Sequence, residues 1–257
     1  MNRFELTFIV GGVQKAGTTS LFGYLQDHPG LQSPLGKELH FFDNETIDWS
    51  RPDYSLLRQF FAVPDDKRPA FDVTPIYLFW PPALQRIHDY NPTIKLLFIF
   101  RDPIERAWSH WSMERSRNAE DLPFHLAIRS GRWRLRGISR YTPAWRVYSY
   151  VERGFYGSQV RRLLELFPRE NILFLRSNDL LERHHDVLAS VAEFLGLSPF
   201  PNVAKRLDHQ NKDSQRTLPA RDFAYLREIF MEEVLDFSRL TGLSVADWPT
   251  VSGERVQ

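Results

Sequence analysis

Apolar positions along this chain of 257 residues change period several times, and the changes mark its elements. Phe4-Glu5-Leu6-Thr7-Phe8-Ile9-Val10 has strand composition, and Lys95-Leu96-Leu97-Phe98-Ile99-Phe100 is a continuous apolar run, as in a strand buried on both faces. Ala70-Phe71-Asp72-Val73 predicts a brief strand stopped by Thr74-Pro75, and Asn171 to Leu175 a fourth. Between them the period becomes helical. Leu21, Phe22 and Leu25 define one helix, ended by Pro29-Gly30, and residues 82 to 90 another, ended by Asn91-Pro92. Leu56, Leu57, Phe60 and Phe61 give a short helical pattern in an otherwise mixed stretch from 44 to 69. Val160, Leu163, Leu164 and Phe167 predict a core-facing helix, as do Val187, Leu188, Val191, Ala192 and Leu195. Residues 200 to 220 are polar and irregular, and a final helix from about 220 to 241 turns Phe223, Leu226, Phe230, Val234 and Phe237 inward. Strands alternating with helices predict an α/β fold, a single three-layer α/β/α domain on a parallel sheet flanked by helices.

Composition narrows the function classes. Lys and Arg total 33 against 32 Asp and Glu, so no global field attracts nucleic acid or a membrane surface. Hydrophobic residues at 42% and aromatics at 14% predict a globular chain, and no apolar run approaches the roughly 20 residues of a membrane span. Cysteine is absent, which excludes disulfides, thiolate catalysis and Cys-ligated zinc. The first strand starts within a few residues of Met1, leaving no room for a signal peptide. The expectation is a cytoplasmic protein, or a soluble domain of a longer one.

The chemistry concentrates first in Gly11-Gly12-Val13-Gln14-Lys15-Ala16-Gly17-Thr18-Thr19-Ser20, set between a predicted strand and a predicted helix. Such a loop turns backbone N–H groups inward, and the helix N-terminus adds partial positive charge, so an anion fits there. Gly12 and Gly17 have the GxxxxG spacing of a P-loop, but Thr18 stands where that motif carries lysine, and the lysine lies inside the loop as Lys15. A second signal follows the apolar run. In Arg101-Asp102-Pro103-Ile104-Glu105-Arg106, Asp102 suits a helix N-cap, Pro103 its first position and Glu105 the acid of a capping box. Arg101 then falls at a strand's carboxyl end, the edge where open α/β sheets bind ligands. Ser109 lies about two turns into the helix and offers a hydroxyl to the same anion, the alternative being an arginine that pairs with a nearby acid. Two separate anion sites suit a nucleotide with phosphates at both ends of its ribose. Residues 129 to 153 carry seven arginines with Gly131, Gly137 and Pro143 and predict an exposed loop region, and His184-His185 a surface pair.

These motifs resemble a known family. Gln14-Lys15-Ala16-Gly17-Thr18-Thr19-Ser20 resembles the 5′-phosphosulfate loop of sulfotransferases that use 3′-phosphoadenosine 5′-phosphosulfate (PAPS), and Arg101-Asp102-Pro103 with Ser109 resembles their 3′-phosphate motif. Lys37-Glu38-Leu39-His40-Phe41-Phe42 is similar to the segment that carries the base in heparan sulfate N- and 3-O-sulfotransferases. Asn91-Pro92-Thr93-Ile94-Lys95-Leu96-Leu97 and Phe155-Tyr156-Gly157-Ser158 also resemble family segments. The resemblance implies one sulfotransferase domain over residues 1–257. Lys15 would neutralise the leaving oxygen, and Gly17, Thr18 and Thr19 would hold the 5′-phosphate. Arg101 and Ser109 would hold the 3′-phosphate, Tyr156 would lie against adenine, and Glu38 or His40 would take the acceptor proton. PAPS would be the cosubstrate and adenosine 3′,5′-bisphosphate (PAP) the product. These residues require no metal, and the acceptor would be a small molecule, a glycan or a natural product.

Two positions depart from that pattern. The Lys-Thr-Pro of the heparan enzymes is Val73-Thr74-Pro75 here, which removes a substrate-side lysine, and their Lys-Gly-Arg phosphate loop has no clean copy. Lys212-Asp213-Ser214-Gln215-Arg216 occupies the comparable region, so Lys212 and Arg216 stand as its candidates. Two other readings remain at this point: a small-molecule kinase using the GxxxxG loop with ATP, and a nucleotide-binding module without catalysis. Thr18 at the lysine position and the want of a clear strand-end Asp for magnesium weigh against the kinase, and Lys15 with Glu38 against the module.

Overall fold

A computed structural model describes residues 4–62, 67–206 and 218–254. In chain order its elements are β1 (Leu6–Gly12), α1 (Thr18–Gln26), β2 (Ala70–Val73), α2 (Pro81–Tyr90), β3 (Lys95–Phe100), α3 (Pro103–Ser116), α4 (Phe124–Ala127), α5 (Pro143–Tyr148), α6 (Tyr156–Leu166), β4 (Ile172–Arg176), α7 (Ser177–Glu182), α8 (His184–Leu195), α9 (Ala220–Thr241) and α10 (Pro249–Ser252). The chain divides into two compact units. One joins the residues up to Phe100 with the segment that begins at Arg162; the other joins Arg101–Arg161 with the C-terminal helices.

The first unit holds a four-stranded sheet in the order β2-β1-β3-β4, parallel at every pair. Ile9 pairs with Asp72 on one side and Leu96 on the other, and Phe98 pairs with Phe174. All four strands expected from the apolar pattern are present. β3 is buried along Leu96–Phe100, so it reads as an unbroken apolar run because helices leave neither face to solvent. Phe8 stacks on Phe71 at 5.2 Å, and Phe98, Phe100 and Phe174 form an aromatic layer. Strand order reverses at β1, since β2 lies to one side of it and β3 to the other. In open α/β sheets the crevice beyond the carboxyl ends at such a point is the ligand position.

The second unit is helical. α9 buries Phe223, Leu226, Phe230, Val234 and Phe237, the five positions its periodicity selects. Phe230 packs on Phe155, and a methyl group at Gly154 would stand only 2.5 Å from its ring, so glycine there permits close packing. The expectation of an exposed loop over residues 129–153 is corrected. A 3-10 turn (Ser130–Leu135) and α5 occupy it, and Arg129 pairs with Asp222 at 2.6 Å, Arg132 with Glu152 at 2.8 Å and Arg134 with Glu120 at 2.7 Å. Acids distant in sequence neutralise these arginines, which no local pattern reveals. His184, expected at the surface, stacks on Tyr24 in the first unit at 5.7 Å and is half-buried. Among the described residues no helix is long and apolar enough to cross a membrane.

Candidate active site

The loop after β1 runs close over the end of the sheet. Gly11 lies against β3, where an added Cβ would stand 2.7 Å from the Phe98 ring. Val13 N–H donates to Ile99 O at 2.8 Å, which pins the loop over the carboxyl end of β3. Lys15 and Gly17 then take left-handed conformations, with φ of 71° and 95°. Gly17 is the N-cap of α1 and provides no side-chain hydrogen bond to the first turn, and that turn holds no acid. The first turn of α1 is therefore without a side-chain cap, and the helix dipole there favours negative charge. Thr18 and Ser20 are buried, Thr19 is half-buried, and Ala16 is fully enclosed. The Gln14 side-chain oxygen is buried with no hydrogen-bond partner among the described residues.

The Lys37–Phe42 segment lies in the same unit, beside the end of β2. Glu38 N–H donates to Val73 O at 3.1 Å, while Thr74 N–H donates to Val10 O at 3.1 Å and Leu78 N–H to Gly11 O at 3.0 Å. These bonds set the segment alongside the end of β2 and tie that stretch to the end of β1, from which the Val13–Gly17 loop departs. Glu38 and His40 both adopt left-handed conformations, with φ of 67° and 50°, which costs about 1–2 kcal/mol per residue for side chains other than glycine. Together with Lys15, the two residues expected to act on the proton are among the described non-glycine residues at positive φ.

Their side chains form a charged chain. Lys37 Nζ lies 2.5 Å from Glu38 Oε1, Glu38 Oε2 lies 3.3 Å from His40 Nε2, and His40 Nδ1 lies 2.9 Å from Asp43 Oδ2. Asp43 is fully buried, whereas Glu38 and His40 keep partial access to solvent. Burial alone would raise the Glu38 pKa, but the hydrogen bond from His40 and the charge of Lys37 oppose it and hold the carboxyl at about 2. His40 is raised to about 9, first by its hydrogen bond to Asp43 and then by that to Glu38. At neutral pH a Glu38 carboxylate therefore faces a His40 imidazolium. Asp43 was not singled out from the sequence. Its only signal was an acid three residues beyond a histidine, at the end of a run of aromatics.

In the second unit, Asp102 caps α3 as expected, accepting from Ile104 N at 2.8 Å and Glu105 N at 3.2 Å, while its other oxygen accepts from Thr250 N at 2.8 Å. The capping-box acid does not reach back to Asp102; Glu105 Oε2 accepts from Arg101 Nε at 2.9 Å. Arg101 is half-exposed, and Ser109 stands half-buried on α3. Tyr156 is fully buried: its hydroxyl donates to Arg101 O at 3.0 Å, and its ring packs on Phe237 and Trp248. Lys212 and Arg216 lie outside the described residues.

The sulfotransferase domain profile matches residues 6–248, and the chain belongs to that family. Human heparan sulfate glucosamine 3-O-sulfotransferase 6 is 32% identical over 199 residues, covering 76% of this chain and 53% of the relative. The chain thus spans about half the length of the curated relatives it matches. Among solved structures, a sulfotransferase from Alicyclobacillus acidocaldarius superposes with a TM-score of 0.78 at 24% identity, over 95% of this chain and 98% of the other. The mouse sulfotransferase SULT7A1 complexed with PAP gives a TM-score of 0.55 at 14% identity, over 92% and 88%. The α/β fold on a parallel sheet is that of these sulfotransferases.

Proposed function

We propose that this protein transfers a sulfuryl group from PAPS to a hydroxyl or amine by in-line displacement. The observation that carries the reading is the Glu38–His40–Asp43 chain, hydrogen-bonded beside the sheet edge from which the loop carrying Lys15 leads to an uncapped helix N-terminus. An anion loop alone would serve any nucleotide; a carboxylate placed next to it supplies a proton acceptor. Gln14 to Ser20 are assigned to the 5′-phosphate, Arg101 and Ser109 to the 3′-phosphate, and Tyr156 to the floor beneath the adenine. Lys212 and Arg216 are assigned to a further phosphate contact on the resemblance alone. Residues 1–257 then act as one sulfotransferase domain, cytoplasmic or part of a larger soluble protein, as the cysteine-free composition suggests.

In the reaction, the acceptor oxygen or nitrogen attacks sulfur from the side opposite the leaving group. The bond from sulfur to the bridging oxygen of the 5′-phosphate breaks, and PAP departs with the electron pair. Lys15 neutralises the charge that gathers on that oxygen, and positioning contributes most of the remaining acceleration. Glu38 takes the acceptor proton. His40, protonated at neutral pH, has no lone pair to offer, so it aligns Glu38 and is itself held by Asp43. A carboxylate held near 2 is a weak base, and it collects the proton only once the bond to sulfur makes the acceptor strongly acidic. Val73, buried in β2 where the heparan enzymes carry lysine, favours an acceptor less anionic than a heparan chain.

The test pairs a thermal-shift comparison with a screen of acceptors using labelled PAPS. PAP at about 100 times its dissociation constant should add roughly 2.7 kcal/mol of stability. Stabilisation by ATP with magnesium and not by PAP would replace this reading with the kinase.

A further inference from the structure

β2 carries a fully buried acid, Asp72, inside an otherwise apolar strand, and the reaction as derived makes no use of it. Burying a carboxylate without a cationic partner is costly, so its surroundings should show what it is retained for. Asp72 Oδ1 accepts from the Thr74 hydroxyl at 2.7 Å and from Leu39 N–H at 3.4 Å, and Oδ2 accepts from the Tyr77 hydroxyl at 2.7 Å. Thr74 and Tyr77 are fully buried as well. Each hydroxyl spends its one proton on the carboxylate, which leaves its lone pairs free to accept. Thr74 Oγ1 accepts from His40 N–H at 3.4 Å, and the Tyr77 hydroxyl accepts from Phe41 N–H at 3.2 Å and Phe42 N–H at 3.4 Å. With Glu38 N–H on Val73 O, five consecutive backbone donors, residues 38 to 42, are met by one short stretch from Asp72 to Tyr77.

We infer that Asp72, Thr74 and Tyr77 form a positioning template that holds Glu38 and His40 in their left-handed conformations. The carboxylate sets the direction of every bond in the network. An ionised Asp72 can only accept, so both hydroxyls must donate to it and present lone pairs to the segment. A neutral group in its place would have to donate one bond itself, turning a hydroxyl round and leaving a backbone N–H of the segment without an acceptor. Burial raises the Asp72 pKa to about 6 against the lowering effect of Tyr77 and Thr74, which still leaves it ionised at neutral pH. The template does not touch substrate. It acts through the orientation of Glu38 and His40, where displacement by about 1 Å can cost on the order of 100-fold in rate. Alternating left-handed residues do not persist unless their surroundings over-determine them, and the five bonds do so.

This inference rests on the sulfuryl-transfer reading for its kinetic arm only. Thr74→Val and Tyr77→Phe each remove one hydroxyl at nearly constant volume, and Thr74→Ser restores it. Turnover with PAPS, PAP affinity and the NMR titration of the His40 imidazole, identified by its loss in His40→Asn, are measured for each. Thr74→Val and Tyr77→Phe are expected to lower turnover roughly 10- to 100-fold, leave PAP affinity within about twofold, and move the His40 titration down from about 9. Thr74→Ser recovers most of the loss. Unchanged His40 titration in both hydroxyl-deleting variants overturns the template, as does a Thr74→Ser that behaves like Thr74→Val. Parallel loss of PAP affinity and melting temperature overturns it too, since that marks general damage. Should the wild type transfer nothing from PAPS while the His40 titration still moves, the template stands and the transferase reading falls.

Discussion

The identity of the base can be decided from the pH dependence of single-turnover transfer. His40 sits at about 9, so at pH 7 only about 1% of it is neutral and able to accept a proton. If His40 were the base, the rate would climb about tenfold per pH unit from 6 to 8 and level off above 9. Glu38, at about 2, is ionised throughout that range. With Glu38 as base and the His40 imidazolium aligning it, the rate should be flat from about pH 7 to 8, fall above 9 as the imidazolium is lost, and fall below about 6 as Asp72 takes up a proton. Asp43→Asn sharpens the test, because the hydrogen bond to Asp43 is the largest cause of the His40 rise. Its removal should move the alkaline limb down by at least about one unit, toward the ordinary value of 6.5. The stability consequence has a definite sign. His40 is raised on folding, so its contribution is complete below pH 6.5 and disappears as pH rises through about 9. The melting temperature of the wild type should therefore lose more between pH 6.5 and 9 than that of Asp43→Asn. A rate that climbs about tenfold from pH 7 to 8 would refute Glu38 as the base. A limb that stays in place in Asp43→Asn would refute the role given to Asp43.

Arg101→Ala should weaken PAP binding by about 2–3 kcal/mol and leave adenosine 5′-phosphosulfate, which lacks the 3′-phosphate, nearly unaffected; equal losses measured by calorimetry for both nucleotides would reduce Arg101 to the ion pair with Glu105. Gly17→Ala meets nothing nearer than Ser177 Oγ at 3.6 Å, so its cost is that of the left-handed backbone, about 1–2 kcal/mol in chemical denaturation, together with weaker PAP binding. Unchanged PAP affinity in that variant would place the 5′-phosphate elsewhere.

The strands, the inward face of α9 and the Asp102 cap were legible in the sequence because each depends on neighbours a few residues away. An apolar run has one stable solution in a doubly covered sheet, and a 3.6-residue period has one buried stripe. The loop after β1 was legible for the same reason: a strand, a glycine loop and a helix start follow one another in sequence, and Lys15 and Gly17 occupy the loop's left-handed corners. Its GxxxxG spacing without the usual lysine points away from a kinase. The family resemblance carried Glu38 and His40 but not the groups that hold them. Asp43 lies three residues beyond His40 with nothing periodic to mark it, and Asp72, Thr74 and Tyr77 reach the same segment from more than 30 residues away. The partners of Arg129, Arg132 and Arg134 were likewise hidden, and an arginine-rich stretch that reads as a solvated loop became a set of ion pairs. Periodicity reports which faces are buried; it carries no information on which buried polar groups meet. Those meetings are set by the register of β2 against β1 and by the path of the chain between them, so only the tertiary structure decided how a carboxylate at about 2 and an imidazole at about 9 came to share one hydrogen bond.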